Sequence, residues 1–146
     1  MLIDKLRLHY KIGEEEDDFI GRDRKVRSFT LTTFINGEKF LPSLVLNLYD
    51  LEDLLIEEKE YWNLFTCTCG DAGCGGVQEA PTVTHLNNNI IIRIKSPIKK
   101  TLVLTRDNII EEIDTLRNRL FRERNIKEYK NIEIFACEPI YDWLMS

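Results

Sequence analysis

No stretch of this sequence stays apolar over the roughly 18 residues that a membrane-spanning helix needs. Its longest patches, such as Leu44-Val45-Leu46 and Ile90-Ile91-Ile92, have the length of strands. The first residues, Met1-Leu2-Ile3-Asp4-Lys5-Leu6-Arg7, carry charge where a secretory leader needs its apolar stretch. The expectation is therefore a cytoplasmic protein that does not touch a membrane. Cysteine is scarce, with 4 in 146 residues, too few and too unevenly placed for a disulfide scaffold. In a reducing cytosol those thiols stay free. Positive charge is in deficit: 20 Lys and Arg against 25 Asp and Glu give a formal net charge of -5. A general nucleic-acid binder carries a basic footprint, so none is expected as partner. Histidine is limited to His9 and His85, each in a strand-like stretch, where a surface or hydrogen-bonded role is favoured over general base chemistry. There is no nucleophile elbow, and the glycines of 70–76 lack the Lys-Ser/Thr and helix that complete a phosphate loop. The carboxylates fall in solvated runs, so no acid/base pair can be named and no catalytic residue is assigned.

What is present is an ordinary globular composition, 43% hydrophobic and 31% charged. A chain of 17.2 kDa supports one hydrophobic core, which predicts a single domain over 1–146. Leu6, Leu8, Tyr10 and Ile12 alternate with Lys5, Arg7, His9 and Lys11, the pattern of a strand with one wet face. Residues 13–25, with the acidic run Glu14 to Asp18, read as a loop. Val26 to Ile35 reads as a strand ending at Asn36-Gly37, a hairpin turn, and Pro42 limits the strand that returns. A short helix near 50–60 is expected with Asp50 as cap. Further strands surround the turn at Asn87-Asn88-Asn89, and Thr101 to Thr105 forms another. The main helix is expected over 107–124, capped by Asp107 or Asn108, with Ile109, Ile110, Ile113, Leu116 and Leu120 facing inward. Arg117, Arg119, Arg122 and Arg124 crowd its end, where they complement the helix dipole. The tail from Ile132 to Met145 is apolar enough to dock. The fold class is α+β: a mainly antiparallel β-sheet covered by one long helix from the C-terminal half, with a short second helix.

One local feature carries chemistry. In Phe65-Thr66-Cys67-Thr68-Cys69-Gly70-Asp71-Ala72-Gly73-Cys74-Gly75-Gly76, the strand period of two puts Cys67 and Cys69 on one face. A loop over Gly70 to Gly73 can fold Cys74 back opposite Cys69, and opposed residues have Cβ atoms about 4.5–5.5 Å apart. The leading reading is structural: small buried side chains beside a glycine-shaped turn, since Phe65 shares the parity of Cys67 and Cys69. Next comes a metal site in which Cys67, Cys69 and Cys74 hold zinc, with His85 or Cys137 as fourth ligand. A reactive thiol pair of Cys69 and Cys74 ranks below that, because no basic residue lies nearby in sequence and Asp71 would raise a thiol pKa.

The segment Leu64 to Gly75 resembles a family of small uncharacterised bacterial proteins that carry a C-x-C-G-x-x-G-C motif. Their turn upstream is matched by Ile35-Asn36-Gly37-Glu38, and the start of their amphipathic helix by Leu104-Thr105-Arg106-Asp107-Asn108. The resemblance covers about residues 35 to 120. Gly75-Gly76 stand where those relatives often have a bulky residue. The resemblance implies a cytosolic bacterial protein without assigned activity and carries over no catalytic residue. The function expected is a non-enzymatic one exercised through protein contacts, with a metal-binding or thiol-active protein as the alternative. Acidity is concentrated in the first half: residues 1–73 carry 15 acidic and 9 basic groups, residues 74–146 carry 10 and 11.

Overall fold

The computed structural model describes residues 2–16, 25–66, 79–124 and 133–135. It is an α+β structure, mainly sheet. Strands β1 (Leu6–Glu16) and β2 (Lys25–Ile35) pair antiparallel from Leu6 opposite Ile35 to Glu16 opposite Lys25. β3 (Glu38–Lys39) folds back on β2 through Asn36 and Gly37, whose φ values of 54° and 83° are those that a two-residue hairpin turn demands. β3 ends just ahead of Pro42. β4 (Val45–Leu46) leads into α1 (Leu48–Asp53), and β5 (Phe65–Thr66) returns antiparallel to β4. β6 (Thr82–Leu86), β7 (Asn89–Ile94) and β8 (Lys100–Thr105) form an antiparallel meander. α2 (Arg106–Arg124) follows without a break. β9 (Glu133–Phe135), from the apolar tail, pairs parallel with β2.

Four details differ from the sequence expectation. The acidic stretch expected as loop begins as strand: β1 runs to Glu16, its ladder with β2 continuing in register to Glu16 opposite Lys25. The strands divide among three sheets: β1, β2, β3 and β9 in one, β4 and β5 in a second, and β6, β7 and β8 in the third. The cap of α1 is Asn47, not Asp50, because the helix starts three residues early; the Asn47 side chain accepts from the amides of Tyr49 and Asp50. The cap of α2 is Thr105, whose hydroxyl accepts from the Asn108 amide at 3.1 Å. A strand-ending threonine thus doubles as the helix start.

The apolar residues of these elements converge on one cluster. The alternation of β7 buries Ile90, Ile92 and Ile94 and exposes Arg93. Ile109, Ile113 and Leu116 of α2 meet Leu6 and Tyr10 of β1 and Leu102 and Leu104 of β8 in the same core. Trp62, 1% exposed, anchors the segment after α1 and donates its indole N–H to the Lys59 carbonyl at 2.8 Å.

Polar side chains join the layers. The Asn108 amide completes the outer edge of β1: its Oδ1 accepts from Leu6 N at 2.8 Å and its Nδ2 donates to Leu6 O at 3.0 Å. One helical turn on, the Glu112 carboxylate accepts from Leu8 N at 2.9 Å. Residues four apart on a helix lie on one face, and residues two apart on a strand edge point their amides the same way. Two helical side chains therefore stand in for a neighbouring strand and close the edge against foreign pairing. Asp4 links β1 to the meander: its amide donates to Val103 O at 2.7 Å, and its carboxylate accepts from Val103 N and from Asn36 Nδ2.

Candidate functional site

Cys67, Cys69, Cys74 and Cys137 lie outside the described residues. The strand that leads to the motif is β5, and both of its residues are buried, Phe65 at 5% and Thr66 at 2% exposure. β5 pairs antiparallel with β4. Among the described residues, no group of three or more His, Cys, Asp or Glu side chains is arranged to hold a metal.

The two histidines differ. His9 is exposed on β1. His85, half-buried on β6, donates from Nε2 to the Leu54 carbonyl at 2.5 Å. A carbonyl only accepts, so Nε2 carries the proton of this contact. Arg106, the first residue of α2, donates to the adjacent Leu55 carbonyl. His85 and Arg106 together satisfy the carbonyls just past the end of α1. A short helix leaves most of its terminal groups without internal partners, so these two contacts set the position of α1 against β6 and α2.

The start of α1 is held as firmly. Asn47 donates its amide to Leu64 O at 2.7 Å, and the Asp50 carboxylate accepts from Asn63 N at 2.8 Å. Burial pushes the Asp50 pKa above its ordinary value, opposed by the Asn63 hydrogen bond and the nearby Lys59 charge. The Lys59 ammonium lies 4.2 Å from the centre of the Trp62 ring, a cation–π contact.

With α1 fixed at both ends, a groove of about 240 Å³ opens between it and α2. Leu55 and Ile56 line one side, Ile110 and Ile113 the other. Ile113 is buried at 4% exposure, whereas Ile56 is 82% and Ile110 42% exposed. Glu52, Asp53, Asp114 and Arg117 form the rim, and Arg117 closes one end through an ion pair with Glu52. Ile110, expected to face inward, instead sits on the groove. Ile109, Ile113 and Leu116 already span the core-facing stripe of α2, and Ile110 lies about 100° further round. The sequence signal was the Ile109-Ile110 pair, since one stripe cannot take both at full depth. Ile56 carried no such signal, because its exposure follows from where α1 ends.

Two other features are accounted for by the fold. A shallow depression of about 320 Å³ over Asp4, Thr105 and Asn108 is lined by the groups that already tie β1, β8 and α2 together. In the arginine series of α2, Arg117 holds Glu52 and the Arg119 guanidinium lies 4.9 Å from the centre of the Tyr10 ring. Those two are engaged in packing rather than free to form a basic stripe. No family model, curated protein or solved structure matches this chain.

Proposed function

We propose that this protein works by binding another protein through the groove between α1 and α2, without a chemical step of its own. The observation that carries this reading is the pair Ile56 and Ile110, two large apolar side chains left exposed on opposite walls of the groove, one in the turn after α1 and one on α2, and bordered by charge. An apolar patch with a polar rim is the usual form of a recognition site. The setting we propose is a bacterial cytosol, on the strength of the resemblance carried by the cysteine motif. No helix among the described residues is long and apolar enough to cross a membrane.

The test is site-specific photo-crosslinking in a lysate of the source organism. A photoreactive residue replaces Ile56, and a second sample carries it at the exposed Lys99, away from the groove. A discrete adduct from position 56 and none from position 99 supports the reading. No adduct above background, or the same adducts from both positions, refutes it. The alternative centres on Cys67, Cys69 and Cys74 and rests on the sequence. Zinc at one equivalent in the purified protein, lost in Cys69→Ser, would establish the metal form; alkylation kinetics of the thiols would decide the reactive one.

A further inference from the structure

We infer that the groove recognises a basic segment: a short stretch of a partner protein that presents a bulky apolar side chain between lysines or arginines. This rests on the protein-binding reading above and adds the chemistry of the partner. Asp53 and Glu57 stand close to Ile56 in sequence, one on α1 and one just past it, and Asp114 lies one helical turn on from Ile110 on α2. Arg117 and Arg106 border the same region, and one of them is ion-paired within the chain. Arg117 pairs with Glu52, and Arg106 donates to the Leu55 carbonyl. The Leu55 carbonyl is neutral and leaves the Arg106 charge in place, but Glu52, Asp53, Glu57 and Asp114 outnumber the two arginines, so the net charge around the apolar centre is negative.

That combination selects among occupants. Exposed isoleucines alone would attract any apolar surface, including lipid. Anionic lipid headgroups and nucleic-acid phosphates are repelled by the carboxylates, as are acidic protein segments. At physiological salt, charges act over about 8 Å, so these carboxylates influence a ligand seated on the groove. A lysine- or arginine-flanked apolar residue meets both demands: its apolar part covers Ile56 and Ile110, and its cations meet the rim. The chain's net charge of -5 adds long-range attraction of the same sign.

The test uses a fluorescent peptide of about 16 residues with leucines at helical spacing and lysines elsewhere, and its counterpart with every lysine replaced by glutamate. Binding to the full chain is followed by anisotropy. The lysine peptide is expected to bind at least about tenfold more tightly than the glutamate peptide, with affinity falling severalfold as salt rises. The double variant Ile56→Ser/Ile110→Ser is expected to lose about tenfold for the lysine peptide, and Asp114→Lys to narrow the preference severalfold. Because all three side chains are exposed, circular dichroism should show each variant folded. Equal binding of the two peptides overturns the inference. So does unchanged lysine-peptide affinity in the isoleucine variant, which would place the contact elsewhere. Dimerisation in sedimentation that disappears with Ile110→Ser would show a second copy in the groove and overturns it too. A position-56 adduct from lysate, with neither peptide bound, would keep the protein-binding reading and remove this one. Absence of both would remove both.

Discussion

The two sides of α2 meet the rest of the molecule in different ways. On the β1 side the helix is closed down. Ile109, Ile113 and Leu116 enter the core, and Asn108 and Glu112 replace the missing neighbour of a strand edge. On the α1 side the helix leaves Ile110 exposed and touches its neighbour through the Arg117–Glu52 pair and the walls of an open groove. The first side uses directional bonds to backbone, which fix register and leave nothing over for a ligand. The second side leaves apolar surface and charge unspent. Surface that the fold does not use is where recognition has room to act.

The sharpest way to break this comparison is to truncate adjacent isoleucines. Ile109, 0% exposed, is expected to lose about 2–5 kcal/mol on substitution by alanine, through lost burial and the cavity left behind. Ile110→Ala is expected to lose under about 1 kcal/mol, since much of its side chain is already in water. Urea unfolding of the two variants measures both. Similar losses would mean that the two sides of α2 do not differ as described.

Asn108→Ala comes next. It removes two hydrogen bonds to Leu6 and leaves a part-buried amide and carbonyl without those partners, at about 1–3 kcal/mol. Hydrogen exchange should locate the effect: the Leu6 amide should lose protection before the β6–β8 meander does. Asn108→Asp is the informative companion. It keeps the acceptor for Leu6 N and loses the donor to Leu6 O, so its cost should reflect the carbonyl alone plus any repulsion from it.

These contacts show which parts of the fold the sequence made legible. β1, the Asn36-Gly37 hairpin, the meander and α2 follow from periodicity and turn residues, because each is decided by neighbours within a few positions. The division into three sheets was not legible, because it depends on β4 choosing β5 across an 18-residue span and on Asp4 reaching Val103. The caps were misplaced for the same kind of reason. Thr105 looked like the end of a strand and is also the start of a helix, while Asp50 looked like a cap and instead holds Asn63. The groove was half legible. The Ile109-Ile110 pair marks an excess of apolar side chain on α2, but its facing partner depends on His85 and Arg106 fixing the end of α1. The cysteine motif, the clearest chemical signal in the chain, lies outside the described residues, so the groove and the motif rest on separate grounds.

A smaller effect, on the α1 side, depends on pH. Burial is the main cause that raises the Asp50 pKa above its ordinary value of 3.8, so folding disfavours the ionised form. The sign follows from linkage. With the folded pKa above the unfolded one, the native state binds more protons between the two values, and stability falls as pH rises through that window. Asp50→Asn removes the charge and keeps an oxygen to accept from Asn63 N. The variant is expected to match or slightly exceed the native protein at pH 7, and to lose that margin as pH falls toward the ordinary carboxylate value. Urea midpoints at several pH values provide the check. A margin that grows on acidification would reverse the assignment.

The smallest expected effect on stability belongs to Ile56→Ser, and it separates fold from recognition most directly. Ile56 is 82% exposed, so the change removes little buried area and should shift stability by no more than about 0.5 kcal/mol. Serine in its place also lowers the exposed apolar area, which can only help solubility. A residue with no part in folding has no structural reason to be a large, β-branched hydrocarbon. If Ile56→Ser leaves the unfolding midpoint unchanged and weakens capture of the lysine peptide, the isoleucine matters for what it meets outside the chain. If it lowers the midpoint by several times that amount, Ile56 is packing against the fold, the groove is narrower in solution than its two exposed walls imply, and the open side of α2 becomes a second closed one.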